Sequence, residues 1–265
     1  MRTRLAPTPS GHLHIGNAMS FLLTWLTVRA ARGEVFLRID DLDGPRVSTE
    51  FVDGILEDLR WLSLDWDRQW FQNERTAIYT HWLDAWKKAG QLYACRCTRS
   101  QMQSNGGVYA GTCRHLGLPL DDSNPWRLRL ERGDVIVRRR EGMAAYHLAS
   151  LADDIEEGIN YIVRGEDLWE STAIQQAMAR SAELAGIPGA AAFASVQFVH
   201  HPLIAGPDGG KLSKSRNASP LRELRASGQP PASVYQQFLR WQGMDPTGVN
   251  TIDELKARWV SAPRR

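Results

Sequence analysis

Three short stretches carry residue types that can do chemistry. The first, Pro7-Thr8-Pro9-Ser10-Gly11-His12-Leu13-His14-Ile15-Gly16-Asn17, places two alternating histidines between a stiff turn and a glycine. Either His12 or His14 could reach a phosphate oxygen, and Gly16 lets a nucleotide approach the backbone. A helix starting here would add free N–H groups and a positive dipole end. The second stretch, Gly209-Gly210-Lys211-Leu212-Ser213-Lys214-Ser215, is a glycine-led loop with two lysines three apart. The third is Cys95-Arg96-Cys97, followed by Cys113. Three clustered cysteines point to metal rather than to a disulfide. Structural zinc takes four ligands, and two residues could supply the fourth: His115, in a C-x-H pair with Cys113, or Tyr109, four residues before it.

Regular elements must hold these groups. Arg2 to Ala6 reads as a strand, Pro7 and Pro9 bar helix and sheet, and Gly11 permits a tight turn. Apolar residues at Ile15, Met19, Leu22, Leu23, Leu26 and Ala30 mark one helical face, with Gly33 as the closing glycine. Val35 to Ile39 is a buried strand that runs into Asp40, Asp41 and Asp43. The order strand, loop, helix, strand is a βαβ unit and predicts a parallel sheet. The histidine loop then lies at the carboxyl end of its strand, where open α/β sheets bind ligands. Further on, Arg127, Arg129 and Arg132 alternate with apolar residues, and Arg138, Arg139 and Arg140 follow, a pattern that would give a strand one basic face toward RNA. Ala232 to Trp241 and Ile252 to Trp259 read as short helices.

The 265 residues are 43% hydrophobic and 23% charged, with a net charge of +2, an ordinary globular composition. Only five of 32 basic residues are lysine: Lys87, Lys88, Lys211, Lys214 and Lys256. Arginine binds phosphate in a planar fork and stacks on bases. No signal-peptide h-region and no apolar run of membrane-spanning length is present, so a soluble, cytoplasmic protein is expected.

Taken together, "HIGN" and "GGKLSKS" resemble the HIGH and KMSKS signatures of class I aminoacyl-tRNA synthetases. "RLAPTPSGHLHIGNA", "LRIDDLD", "LSLDWD", "AYHLASLADD", "IVRGEDL" and "GGKLSKS" follow in the order found in glutamyl-tRNA synthetases and their relatives. The resemblance covers about Arg4 to Leu221. It implies an α/β fold with a Rossmann-like parallel nucleotide-binding sheet. It implies ATP, with Mg2+, bound by Pro7, His12, His14, Gly16, Asn17, Lys211, Ser213 and Lys214, of which His14 and Lys214 are catalytic. It implies L-glutamate bound by Arg4, Thr8, Asp40, Tyr146 and Arg164, with the arginines on carboxylates, Asp40 on the ammonium and Tyr146 donating a hydroxyl. Two positions depart from the family: Asp40 stands where glutamate is usual, and Asn17 replaces the second histidine of HIGH. The stretch after Cys113 is also shortened.

Beyond Ser215 only fifty residues remain, where full-length members carry a long helical anticodon-binding part. The resemblance is therefore to the short branch of the family, the glutamyl-queuosine enzymes. These activate glutamate with ATP and esterify it to queuosine in the anticodon of tRNA(Asp). That branch holds one structural Zn2+ through C-x-C, a tyrosine and a cysteine, which maps to Cys95, Cys97, Tyr109 and Cys113. The expected organisation is residues 1–90 and 127–215 as two halves of the nucleotide-binding domain, 91–126 as a zinc-bearing insert and 216–265 as a small helical end, in a monomer. Two alternatives stand beside this: a reduced glutamyl-tRNA synthetase charging a tRNA 3′ end, and a non-catalytic RNA-binding paralogue.

Overall fold

The computed structural model describes residues 1–42, 44, 47–98, 100–101, 109–131, 133–204 and 220–262. In chain order the elements are β1 (Arg2–Leu5), α1 (Ile15–Ala30), β2 (Glu34–Ile39), α2 (Thr49–Trp61), β3 (Arg68–Phe71), α3 (Thr76–Lys88), β4 (Leu92–Ala94), β5 (Trp126–Leu128), β6 (Val135–Arg138), α4 (Tyr146–Glu156), β7 (Tyr161–Gly165), α5 (Trp169–Leu184), β8 (Gln197–His201), α6 (Leu221–Ala226), α7 (Ala232–Trp241) and α8 (Ile252–Ser261). They divide into two compact units. The first comprises Met1–Gln72, Asn160–Leu168 and Gln197–Arg265, and the second Asn73–Ile159 and Trp169–Val196.

The first unit holds the expected parallel sheet. β1, β2 and β3 pair in that order, with Arg4 opposite Phe36 and Arg38 opposite Trp70. β7 and β8 form a second parallel pair. Asn160 joins that pair to β1: its N–H bonds to the Arg2 carbonyl, and its side-chain oxygen accepts the Arg2 N–H at 2.8 Å. β2 is buried from Val35 to Ile39, as a strand covered on both faces should be.

α1 runs from Ile15 to Ala30, the expected bounds, but its burial is broader than one stripe. Ala18, Phe21, Thr24, Trp25 and Val28 are buried as well, while Ala30 is not. The extra cover comes from the C-terminal helices, whose Val234, Tyr235, Phe238, Leu239 and Leu255 share one apolar core with α1. A helix buried on several sides loses the polar face of an amphipathic surface helix. The end of α1 also differs from expectation. The left-handed residue is Arg32, at φ 55°, and Gly33 follows it with its N–H on the Val28 carbonyl. Gly33 is needed for close approach instead: a Cβ there would strike the Met1 carbonyl and the Val28 side chain.

The second unit contains α3, α4, α5 and a small antiparallel sheet, β4–β5–β6, with Leu92 opposite Leu128 and Leu128 opposite Val135. The segment from Arg127 onward was expected to lead into the second half of the parallel sheet. It folds back on β4 instead. Too few residues separate β5 from β6 for a parallel crossover, which needs about a dozen or more, so those two strands pair antiparallel. At the base of this unit, Tyr79 donates to both oxygens of Asp153 at 3.1 Å, while Arg75 pairs with Asp153 at 2.8 Å and Glu157 at 2.7 Å. Among the described residues no helix is long and apolar enough to cross a membrane.

Candidate functional site

The histidine turn is a helix cap. His14 adopts extended backbone as the N-cap of α1, and its Nδ1 accepts the Gly16 N–H at 3.1 Å. Asn17 reaches back, its Oδ1 accepting the His14 N–H at 3.0 Å. This reciprocal capping box gives the Asn17 side chain a local task. With Nδ1 accepting, the neutral His14 ring carries its proton on Nε2, where it can donate to an anion. Pro7 is buried, and its carbonyl accepts the Asp40 N–H at 2.9 Å, so the turn after β1 is bonded to the end of β2. Thr8 is exposed, its carbonyl accepting the Ser10 N–H. His12 packs elsewhere. Its ring meets Phe51 edge-on at 4.8 Å and its Nε2 lies 3.8 Å from Glu50. Burial, then Arg222, hold its pKa below the usual range against Glu50 and Glu223.

Three buried charged residues predicted for glutamate stand at the carboxyl-terminal ends of neighbouring strands: Arg4 on β1, Asp40 just past β2 and Arg164 on β7. The Arg164 guanidinium lies over the Phe198 ring at 4.7 Å. Beside it, burial and then the Arg164 charge lower the His200 pKa. Sequence reasoning missed the residue next to Asp40. Arg38, 1% exposed, forks onto Asp40, with Nε 2.6 Å from Oδ1 and Nη2 3.3 Å from Oδ2. The signal was available, since residues two apart on a strand share a face. Tyr146 is the first residue of α4 in the second unit, 45% exposed, its ring edge-on to His147. Lys211, Ser213 and Lys214 lie outside the described residues. The flanks of their stretch are placed: the Leu221 N–H bonds the Leu13 carbonyl, and His201 Nε2 lies 3.0 Å from Ser20 Oγ.

The cysteine cluster is in the second unit. The three Sγ atoms of Cys95, Cys97 and Cys113 all lie within 4.8 Å of one another. Tyr109 joins them: its hydroxyl accepts the Cys113 N–H at 2.8 Å and hydrogen-bonds to Cys95. His115 is exposed and not part of the converging group. Three sulfurs and a phenolic oxygen are a donor set that fits one zinc ion. Burial and the neighbouring thiols of Cys113 and Cys95 push Cys97 up to about 12, and burial pushes Tyr109 up to about 12. Burial also acts to raise Cys95, but hydrogen bonds from Arg127 and the Cys97 backbone outweigh it and lower the thiol.

The arginines expected on one basic strand face do not share one: Arg140 is exposed, Arg129 and Arg139 are half-buried, and Arg132 lies outside the described residues. Arg127 and Arg138 are buried, and the arginines lie on aromatic rings: Arg127 over Tyr109 at 3.7 Å, Arg129 over Tyr93 at 4.9 Å and Arg138 over Trp126 at 4.7 Å. Both faces of β5 are covered, since Trp126, Arg127 and Leu128 are all buried, so its side chains are used for packing.

Over residues 1–110 and 119–257 the sequence matches the family described as tRNA synthetases class I (E and Q), catalytic domain. It is 39% identical over 272 residues to glutamyl-Q tRNA(Asp) synthetase of Prochlorococcus marinus (strain MIT 9303), covering 96% of this chain and 86% of that protein. It is 38% identical over 274 residues to glutamyl-Q tRNA(Asp) synthetase of Pseudomonas syringae pv. syringae (strain B728a), covering 90% of each. In fold it resembles the crystal structure of a glutamate tRNA ligase from Elizabethkingia meningosepticum in complex with its amino acid, with a TM-score of 0.76 and 22% identity. That match covers 97% of this chain and 64% of that one, so the chain spans a little under two thirds of that structure's length. At this identity the likeness speaks for the fold.

Proposed function

The chain belongs to the class I tRNA synthetases of the E and Q type, and we propose that it activates L-glutamate with ATP and transfers the glutamyl group to queuosine in the anticodon of tRNA(Asp). The relatives that it matches at 38–39% identity over nine tenths of its length or more carry that activity in their names. The observation that carries the reading is that the buried Arg4, Asp40 and Arg164 all stand at carboxyl ends of parallel strands of the first unit, with the capped start of α1 following β1. Arg4 and Arg164 match the two carboxylates of a dicarboxylic amino acid, and Asp40, held by Arg38, matches its ammonium.

The roles follow from that match. Arg4 and Arg164 take the two carboxylates and Asp40 takes the α-ammonium. The contact of Tyr146 with glutamate is proposed on the resemblance alone. An oxygen of the α-carboxylate attacks the α-phosphorus of ATP, the bond to the β-phosphate oxygen breaks, and pyrophosphate leaves with Mg2+. In this reading His14 and the positive dipole end of α1 lie against the phosphates. Lys214 stabilises the charge that develops on them. A hydroxyl of the acceptor then attacks the glutamyl carbonyl and AMP departs. Zinc, held by Cys95, Cys97, Tyr109 and Cys113, would supply a structural cross-link and takes no part in these steps.

The deciding experiment incubates the protein with labelled glutamate, ATP and tRNA, with and without queuosine, and maps the labelled nucleotide. Label on the anticodon base only when queuosine is present is expected. Label at the 3′ end would move the chain to the second reading, a reduced glutamyl-tRNA synthetase. Absence of ATP–pyrophosphate exchange with every amino acid tested would leave the non-catalytic paralogue.

A further inference from the structure

Arg127 is a buried cation whose position the proposed reaction does not explain. Its guanidinium covers the face of Tyr109 at 3.7 Å and hydrogen-bonds to Cys95. Its Nη1 donates to the Asp134 carbonyl at 2.9 Å. Asp134 is itself fixed: its carboxylate accepts from the Tyr93 hydroxyl at 2.7 Å and the Leu130 N–H at 3.0 Å, with Arg114 at 3.4 Å. The guanidinium is thus held against the ring by a backbone carbonyl on a braced turn. A fluctuating surface arginine has no such support.

The charge of the donor set gives this placement a purpose. Zinc binds cysteine as thiolate. Three thiolates on one Zn2+ leave a net negative charge if the tyrosine binds as phenol, and a larger one if it binds as phenolate. Cys95 and Cys113 are buried, and a buried net charge is costly unless a counter-charge lies beside it. An arginine that is planar, permanently charged and weakly hydrated suits a buried counter-ion stacked on a ring better than lysine does. We propose that Arg127 is the counter-cation of the metal centre, compensating the charge of the zinc-bound Cys95, Cys97, Cys113 and Tyr109 and orienting the Tyr109 ring toward the ion. This rests on the zinc reading of the cluster.

The test separates the two ideas. Zinc content of the intact wild-type chain comes first: one ion per chain is expected, and a chain that binds none overturns both. Zinc affinity is then measured by chelator competition in wild type, Arg127→Met and Arg127→Lys, and melting is followed with zinc and with chelator. Residues just outside a metal's ligands typically contribute about 10–100-fold in affinity. Arg127→Met should lose affinity in that range, and zinc should raise its melting temperature less than that of wild type. Arg127→Lys keeps the charge without the planar face and should lose several-fold. Wild type with one zinc and Arg127→Met with unchanged affinity, or with equal melting losses in zinc and in chelator, would overturn the counter-cation role and leave the zinc reading standing. Should Arg127→Met not fold, the polar and uncharged Arg127→Gln decides: a loss in the same range supports the proposal and an unchanged affinity refutes it.

Discussion

The proposed glutamate site of the first unit and the cysteine cluster of the second are held by different means. Arg4, Asp40 and Arg164 stand at the ends of paired parallel strands, and His14 caps a long helix, so backbone hydrogen bonds set their positions. The cysteines lie where regular structure is sparse. Cys95 follows a three-residue strand and Tyr109 and Cys113 are outside any helix or strand. Their arrangement rests on side chains: the Tyr109 hydroxyl, the Arg127 guanidinium and a small apolar cluster of Tyr93, Cys95 and Cys113. A site built on strand ends can be ready before its ligand arrives, whereas a site built on side chains leans on the ion it binds.

The sharpest way to break this contrast is to remove charge from the first site. Asp40→Asn leaves Arg38 and the substrate ammonium with a poorer partner. Truncating one member of a buried charge pair costs about 2–5 kcal/mol, which is tens-fold to thousands-fold in glutamate affinity. Exchange kinetics over a range of glutamate should show this, with the ATP dependence and zinc content unchanged. A parallel loss of zinc would show that the two sites are not independent. A wild type that prefers another amino acid would remove Asp40 from the glutamate site altogether.

Next in size is Lys214→Ala. Losing one donor to developing charge typically costs ~10²–10³ in rate. Pre-steady-state adenylate formation should fall by about that much while ATP binding weakens far less. Normal turnover in this variant would assign the lysine loop no part in the chemistry.

The metal site is tested from the opposite side. Tyr109→Phe should weaken zinc binding, and His115→Ala should leave it intact, while both retain glutamate-dependent exchange in the absence of tRNA. Metal analysis of the purified variants discriminates between the ligands. Zinc lost only from the histidine variant would reverse the ligand set, and exchange abolished on zinc removal would make the second site part of the first.

The smallest effect lies within the first unit. Asp58 on α2 is buried against Arg225 of α6, 3.3 Å away, and burial raises its pKa from 3.8 to about 6 despite that arginine. A raised folded pKa means that the folded chain binds the proton more tightly than the unfolded one. The stability contribution is complete below about 3.8 and lost as pH rises through about 6. Melting temperature between pH 4 and 7 should therefore carry a downward component with rising pH that Asp58→Asn removes. Identical pH profiles for variant and wild type would contradict the assignment.

Much of the first site could be read directly. Proline, glycine and the apolar spacing marked the turn and both bounds of α1, and the acids after "VFLRI" marked a strand end. Arg38 was overlooked although the strand period places it on the face of Asp40. In the second site the cysteine spacing pointed to a cluster able to hold a metal, and the three sulfurs do meet, but nothing in the spacing of Arg127 told a basic face from a buried cation. That depended on what packs against the two faces of β5. The closing role expected of Gly33 failed for a related reason. The left-handed turn fell to Arg32, and the glycine was required by the N-terminal strand lying across it.

By itself, then, the sequence determined the helix–strand order, the capped turn, the residue types at the strand ends and the family to which the chain belongs. These depend on backbone sterics and side-chain character over a few neighbouring positions. Only the tertiary structure decided that Arg38 grips Asp40, that β5 turns back on β4, that the C-terminal helices complete the core around α1, and that Tyr109 rather than His115 meets the cysteines. Each of these joins groups whose meeting depends on how strands, turns and helices pack, and packing is decided by the burial of the whole chain, which no local pattern records.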